Sequence, residues 1–317
     1  MSAPARSTRP GVDDSRPFGA HLRMSWWKPL VLIVALPPVL VGLQVVFFLL
    51  AGLVEGSDDP LSTVFTPWKA LAANLSIGVT GLVAAGLLVW MTGVPWSSLL
   101  RHRRAFDRRR LAHHLIGAAI VMGTVLTITG VVAPQSTGWT GFGITGTTVA
   151  LLAVTVLTTP IQAVGEELTY RSALLPAAAS WVRAVRPALA VGLVVSALGF
   201  AVAHGSGDPW LFGYFLVIAV NTGLIAIISG GMEAPMAFHV ANNVLAGIAG
   251  NLLSGGGSAT IDRTTDTGGP ALLILVAGNI AMVVLVWAYE RRARTPRPPR
   301  PTTTRPDHRP TQTRSNR

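Results

Sequence analysis

The chain of 317 residues contains no cysteine. Disulfides, thiolate metal sites and a cysteine nucleophile are therefore excluded. Charge is also scarce: 12% of residues are Asp, Glu, Lys or Arg, where a soluble domain carries about a quarter. No HExxH occurs, so the usual helical zinc site is missing. The first 22 residues hold Pro, Ser, Arg and Asp but no apolar run, unlike a secretory signal peptide.

What is present is apolar sequence in long runs. Half the residues are hydrophobic and the mean hydropathy is +0.51. Runs of about 20 apolar residues read as transmembrane helices. They fall near 30–54, 70–93, 111–133, 142–182, 188–204, 209–229, 235–253 and 270–289. The expected fold is an all-α polytopic membrane bundle of about eight transmembrane helices. The net charge of +11 does not point to nucleic acid, because the arginines gather in short loops and in the two tails. "RHRRAFDRRR" at 101–110 is the densest of these loops. The positive-inside bias then places both termini in the cytoplasm and the protein in the cell membrane. Four stretches follow: a disordered cytoplasmic arm at 1–22, three spans within 23–141, a motif-bearing membrane unit at 142–290, and a disordered basic tail at 291–317. A straight helix over 142–182 would be about 60 Å long. It must tilt, lie partly in the interface, or break at Pro160.

Five glutamates occur, and only Glu166 and Glu167 lie inside a long apolar stretch, in "VGEELTYRSALL". Ionisable groups there are costly and point to function. On a helix, Glu167 and Arg171 are i and i+4 and can pair on one face. Glu166 lies about 100° away and lacks that partner. A helix beginning at the membrane boundary would also place acids and a snorkelling Arg here.

Two histidines belong to apolar segments with informative neighbours. His204 ends "FAVAH", beside the helix stop Gly205. A hairpin turning near 185 would bring it level with Glu166. His239 sits in "HVANN", with Asn243 one turn on and Asn242 nearly as close. Such a cluster is either interhelical hydrogen-bond glue or part of a site. Straight helices place His239 and His204 towards opposite ends of the bundle. For them to meet, 209–229 must break, tilt or leave the membrane.

A carboxylate and a histidine sharing one water form a general-base arrangement. A second histidine with an asparagine can stabilise a developing oxyanion. These parts suffice for amide hydrolysis without a covalent intermediate or a cofactor. A metal bound by Glu166, His204 and His239 stays open as a variant. "GSGD" at 205–208 resembles the GxGD of intramembrane aspartyl proteases, but the second membrane aspartate is missing. Ser206 lies near His204 in a Gly-rich turn, without a pattern that would support serine catalysis.

"EELTYR", "FAVAH" and "HVANN" match EExxxR, FxxxH and HxxxN in that order. Together they resemble the three motifs of the CAAX protease and bacteriocin-processing (CPBP, or Abi) family of intramembrane glutamic endopeptidases. The resemblance covers about 145–255; Ser172 stands where the family commonly has glycine. It implies that Glu166 activates water with help from His204, that His239 and Asn243 form an oxyanion hole, and that Glu167 and Arg171 support the site. The implied partner is a membrane-associated or lipidated peptide or protein in the bilayer. Two other classes compete: a non-enzymatic immunity or binding protein on this scaffold, and a proton-coupled transporter using the buried Glu and His. The substrate and the oligomeric state are not written in the sequence.

Overall fold

The computed structural model describes residues 11–257, 259–260 and 268–294. In chain order the helices are α1 (Trp27–Glu55), α2 (Pro67–Thr92), the short α3 (Trp96–Leu100), α4 (Arg108–Val132), the short α5 (Pro134–Thr137) and α6 (Gly146–Glu167). A π-helical turn (Leu168–Leu174) joins α6 to α7 (Leu175–Ala179). Then come α8 (Val185–Ala203), α9 (Pro209–Ser229), α10 (Glu233–Leu253) and α11 (Leu272–Arg294). One two-residue antiparallel ribbon pairs β1 (Val64–Phe65) with β2 (Ala259–Thr260).

Among the described residues, eight helical segments are long and apolar enough to cross a membrane. Large apolar side chains such as Leu53, Trp90 and Val131 face outwards, as a lipid solvent requires. The chain is a multi-pass helical membrane protein. Its helix ends carry the expected local chemistry. Thr66 caps α2 from in front of Pro67, Thr145 and Thr148 form a capping box on α6, and Asp208 accepts from Leu211 N at 2.8 Å to start α9. The aspartate of "GSGD" thus serves as a helix cap.

The long segment neither breaks at Pro160 nor runs as one uniform helix. Proline lies inside α6, and the helix widens into the π-turn just after Glu167. From Gly146 to Ala179 it spans 34 residues. The hairpin turns at 180–184, close to the expected position. Pro37 and Pro38 likewise sit inside α1.

Beside the glutamates, α6 crosses α2 with the two backbones nearly touching. A Cβ on Gly165 would lie 2.6 Å from Ile77 O and 2.7 Å from Gly78 Cα, and one on Gly81 would meet the backbone of Gly165. Only glycine permits that approach. The main apolar core lies on the other flank, where Tyr170, Leu174, Phe200, Ile218 and Phe238 pack together.

Residues 11–22 are not a disordered arm. They fold back as a small hairpin, with Asp13 N donating to His21 O at 2.7 Å and Arg23 N to Gly11 O at 2.8 Å. Phe18, His21 and Leu22 are buried. Phe18 packs against Leu168, Met232 and Met236, and the ring of His21 lies between those of Phe18 and His102. A few apolar and aromatic side chains filling a preformed hollow outweigh the polar composition that suggested disorder. Residues 1–10 and 295–317 lie outside the described residues; 291–294 continue α11.

The arginine loop is tied to the turn between α9 and α10. Met232 N donates to Leu100 O at 2.9 Å and His102 N to Gly230 O at 3.2 Å. Arg104 pairs with the fully buried Glu233, whose Oε1 also accepts from Asp107 N at 3.0 Å.

Candidate active site

Glu166 and Glu167 end α6, where the helix passes into its π-turn. Such turns recur at functional sites. Arg171, within that turn, is completely buried. Its Nη1 lies 3.4 Å from Glu167 Oε1. Its Nη2 donates to Ala219 O at 3.2 Å and to the hydroxyl of Thr222. The guanidinium also stands over Phe200, 4.6 Å from the ring centroid. The Glu167–Arg171 pair expected from spacing forms, and α9 anchors it.

His239, from the second turn of α10, is wedged between the two carboxylates. Its Nδ1 donates to Glu167 Oε1 at 2.8 Å. Its Nε2 lies 3.1 Å from Glu166 Oε2, close enough for charge attraction but without a straight hydrogen bond. Glu167 is therefore the hub of a buried triad with Arg171 and His239. Glu166 has no arginine partner and reaches past the histidine.

On its other side Glu166 faces a small cavity of about 90 Å³ that it shares with His204, Gln162, Thr169, Tyr170 and Thr80. Leu40 and Gln44 of α1 wall the same space, so the N-terminal spans help to build it. His204 caps α8, and its Nδ1 donates to Phe200 O at 2.8 Å. That bond orients the ring and places the neutral-tautomer lone pair on Nε2. Phe200 knits the cluster together: its ring lies 4.4 Å from that of His204 and 5.9 Å from that of His239, centroid to centroid.

The two histidines do not need α9 to break, since it is one continuous helix. The α9–α10 turn is sunk beneath the arm and the arginine loop, so Glu233 is already buried when α10 begins. Starting deeper, α10 brings His239 to the level of Glu166 near its beginning.

The hydrogen bonds of Asn243 run to Gln162 and Asn242: its Nδ2 donates to Gln162 Oε1 at 3.1 Å, and its Oδ1 accepts from Asn242 at 2.9 Å. Gln162 was not among the residues expected at the site. It stands one helical turn before Glu166, and that i−4 spacing in an apolar run was the available signal. Among the described residues, no group of three or more His, Cys, Asp or Glu side chains is arranged to hold a metal ion.

Chemically, the arrangement combines a carboxylate and an imidazole on one small cavity, amide groups beside them, and a charged triad fixing the carboxylate's helix from behind. No curated protein and no solved structure matches the chain. One family profile does, the Rce1-like family, described as Type II CAAX prenyl endopeptidase Rce1-like. The matched stretch opens with α6, contains all three motifs and closes inside α10. Over residues 146–245 the chain is similar to the Rce1-like family, in agreement with the CPBP resemblance of its three motifs.

Proposed function

We propose that the protein is an intramembrane glutamic endopeptidase that hydrolyses a peptide bond in a membrane-associated peptide or protein. Glu166 and His204 hold one water in the cavity they share. Glu166 takes a proton from it as the oxygen attacks the scissile carbonyl carbon. The carbonyl oxygen becomes an oxyanion, met by the Nε2 side of His239 and by amide groups of the Gln162–Asn243 pair. Collapse breaks the C–N bond, and the proton held by Glu166 passes to the departing amine. One water is consumed, and one carboxylate and one amine are released. Glu167 and Arg171 do not touch the substrate; they hold His239 and the π-turn in place.

The observation that carries this reading is that Glu166 and His204, thirty-eight positions apart in sequence, line the same small cavity. The positive-inside bias supports a cell-membrane orientation with the arginine loop in the cytoplasm.

The test uses a library of membrane-tethered fluorogenic peptides in liposomes. Glu166→Gln and His204→Gln are each expected to lose about 10²-fold or more in cleavage rate, the usual worth of general acid–base catalysis, while both proteins remain folded and inserted. Parent-like cleavage by either variant contradicts its assignment. Glu166-dependent proton-coupled solute flux without cleavage would favour transport, and immunity surviving Glu166→Gln would favour a binding scaffold.

A further inference from the structure

Helices α6 and α10 run antiparallel and meet along a ladder of polar and small residues. On α6 these are Thr155, Thr159, Gln162 and Glu166; on α10 they are Asn251, Gly247, Asn243 and His239. Successive members lie three or four residues apart, which stacks them on one face. The rungs are real contacts. His239 lies between Glu166 and Glu167, Asn243 donates to Gln162 at 3.1 Å, and Asn251 donates to Thr155 at 3.0 Å. From Glu166 to Thr155 the ladder runs about 16 Å at the α-helical rise.

Its far end opens into a second, larger cavity of about 410 Å³. Asn74 of α2, Thr155 and Thr159 of α6, Gly247 and Asn251 of α10, and Trp139 are among its walls. None of the described lining residues carries a charge. The volume lies within the range of ligand clefts, roughly 300–1,000 Å³. This cavity sits at the ends of α2, α6 and α10 that are remote from the arginine loop. The arginine-loop side of the site is closed instead, because Phe18 of the arm packs there on Leu168, Met232 and Met236.

We infer that the larger cavity is the vestibule of the peptidase site, taking up an extended, uncharged stretch of substrate peptide, with water, from the face opposite the arginine loop. The inference rests on the peptidase reading and adds the side of entry and the substrate class. Asn and Thr side chains offer both donors and acceptors to a peptide backbone. Among the described residues a charged side chain finds no counter-ion there and would stay solvated at a cost. The Gln162–Asn243 rung stands between the two cavities. The scissile bond lies beyond it, at Glu166 and His204, and the flanking residues stay in the vestibule.

The absence of native cysteine makes this directly measurable. Asn251→Cys reports on the vestibule and Arg109→Cys, at an exposed position of α4, marks the arginine-loop face. A membrane-impermeant maleimide is applied to each side of sealed vesicles in turn. Asn251→Cys is expected to react from the side that leaves Arg109→Cys untouched, and labelled Asn251→Cys to cleave the tethered peptides about tenfold or more slowly than the same variant before labelling. Reaction only from the arginine side, or none until the protein is denatured, overturns the inference. So does full cleavage after complete labelling. If the unsubstituted protein shows no Glu166-dependent cleavage, the peptidase reading fails, while the labelling pattern alone still decides whether this cavity opens to that face.

Discussion

Nδ1 of His239 donates to Oε1 of Glu167 over 2.8 Å, in a site where Arg171 lies 3.4 Å from the same oxygen. One carboxylate oxygen therefore holds together two buried cationic or hydrogen-bonding partners from different helices. Its neighbour Glu166 lies on the cavity side of the same histidine. The adjacent glutamates thus divide into one held in the buried triad and one that lines the cavity.

The triad member has a measurable consequence. Glu167→Ala strands Arg171 and His239 in a buried setting, and removing one partner of a buried ion pair typically costs about 3–5 kcal/mol. A markedly lowered Tm in detergent is expected. The double variant Glu167→Leu with Arg171→Met should recover a large part of that loss, because no buried charge is left uncompensated. Equal destabilisation by single and double variants would show that Glu167 is not the hub.

The α2–α6 crossing yields a second contrast. Gly165→Ala places a methyl against Ile77 O and Gly78 Cα, and should destabilise by about 1–3 kcal/mol or more through overpacking. Gly123→Ala, within α4, meets no atom within 4 Å and should stabilise by about 0.5–1 kcal/mol through helix propensity. Thermal unfolding of the two variants side by side checks both signs.

Acid should release the N-terminal hairpin. Burial pushes the imidazole of His21 down to about 3, aided by neighbouring His102 and opposed by the Ser98 carbonyl that accepts from Nε2. The undocked ring titrates near 6.5. Between those values the undocked form binds more protons than the docked one, so docking is fully stable above about pH 6.5 and weakens by about 1.4 kcal/mol per unit as pH falls towards 3. His102, also lowered by burial, acts in the same direction. The protection of amides 11–22, with the intrinsic exchange rate at each pH divided out, should fall between pH 7 and pH 5, and His21→Phe should flatten that fall. Protection independent of pH in the parent would contradict the docked neutral imidazole.

Much of this architecture was legible because membranes impose simple rules. Long apolar runs give spans, and the few carboxylates inside them are conspicuous. Glu166, Glu167, Arg171, His204 and His239 could all be picked out that way, and they converge. Gln162 offered only its i−4 spacing from Glu166, and one amide in an apolar helix gains a role once Asn243 of α10 is placed against it. The docked arm was hidden for the same reason. Phe18 and Leu22 stand out little in the sequence, and their burial depends on hollows formed by distant elements, Phe18 against Leu168, Met232 and Met236 and Leu22 against Leu32, Leu88 and Leu99. Nor does spacing alone reveal that α10 begins beneath a cap, which is what sets the level of His239.

The most direct measurement is the initial rate of peptide-bond cleavage by purified, folded Glu166→Gln protein in liposomes, beside the parent. Cleavage reduced about 10²-fold or more, with Tm close to the parent's, is the result this account predicts. Cleavage at the parent rate would contradict it and leave the carboxylate facing the cavity without a part in the reaction.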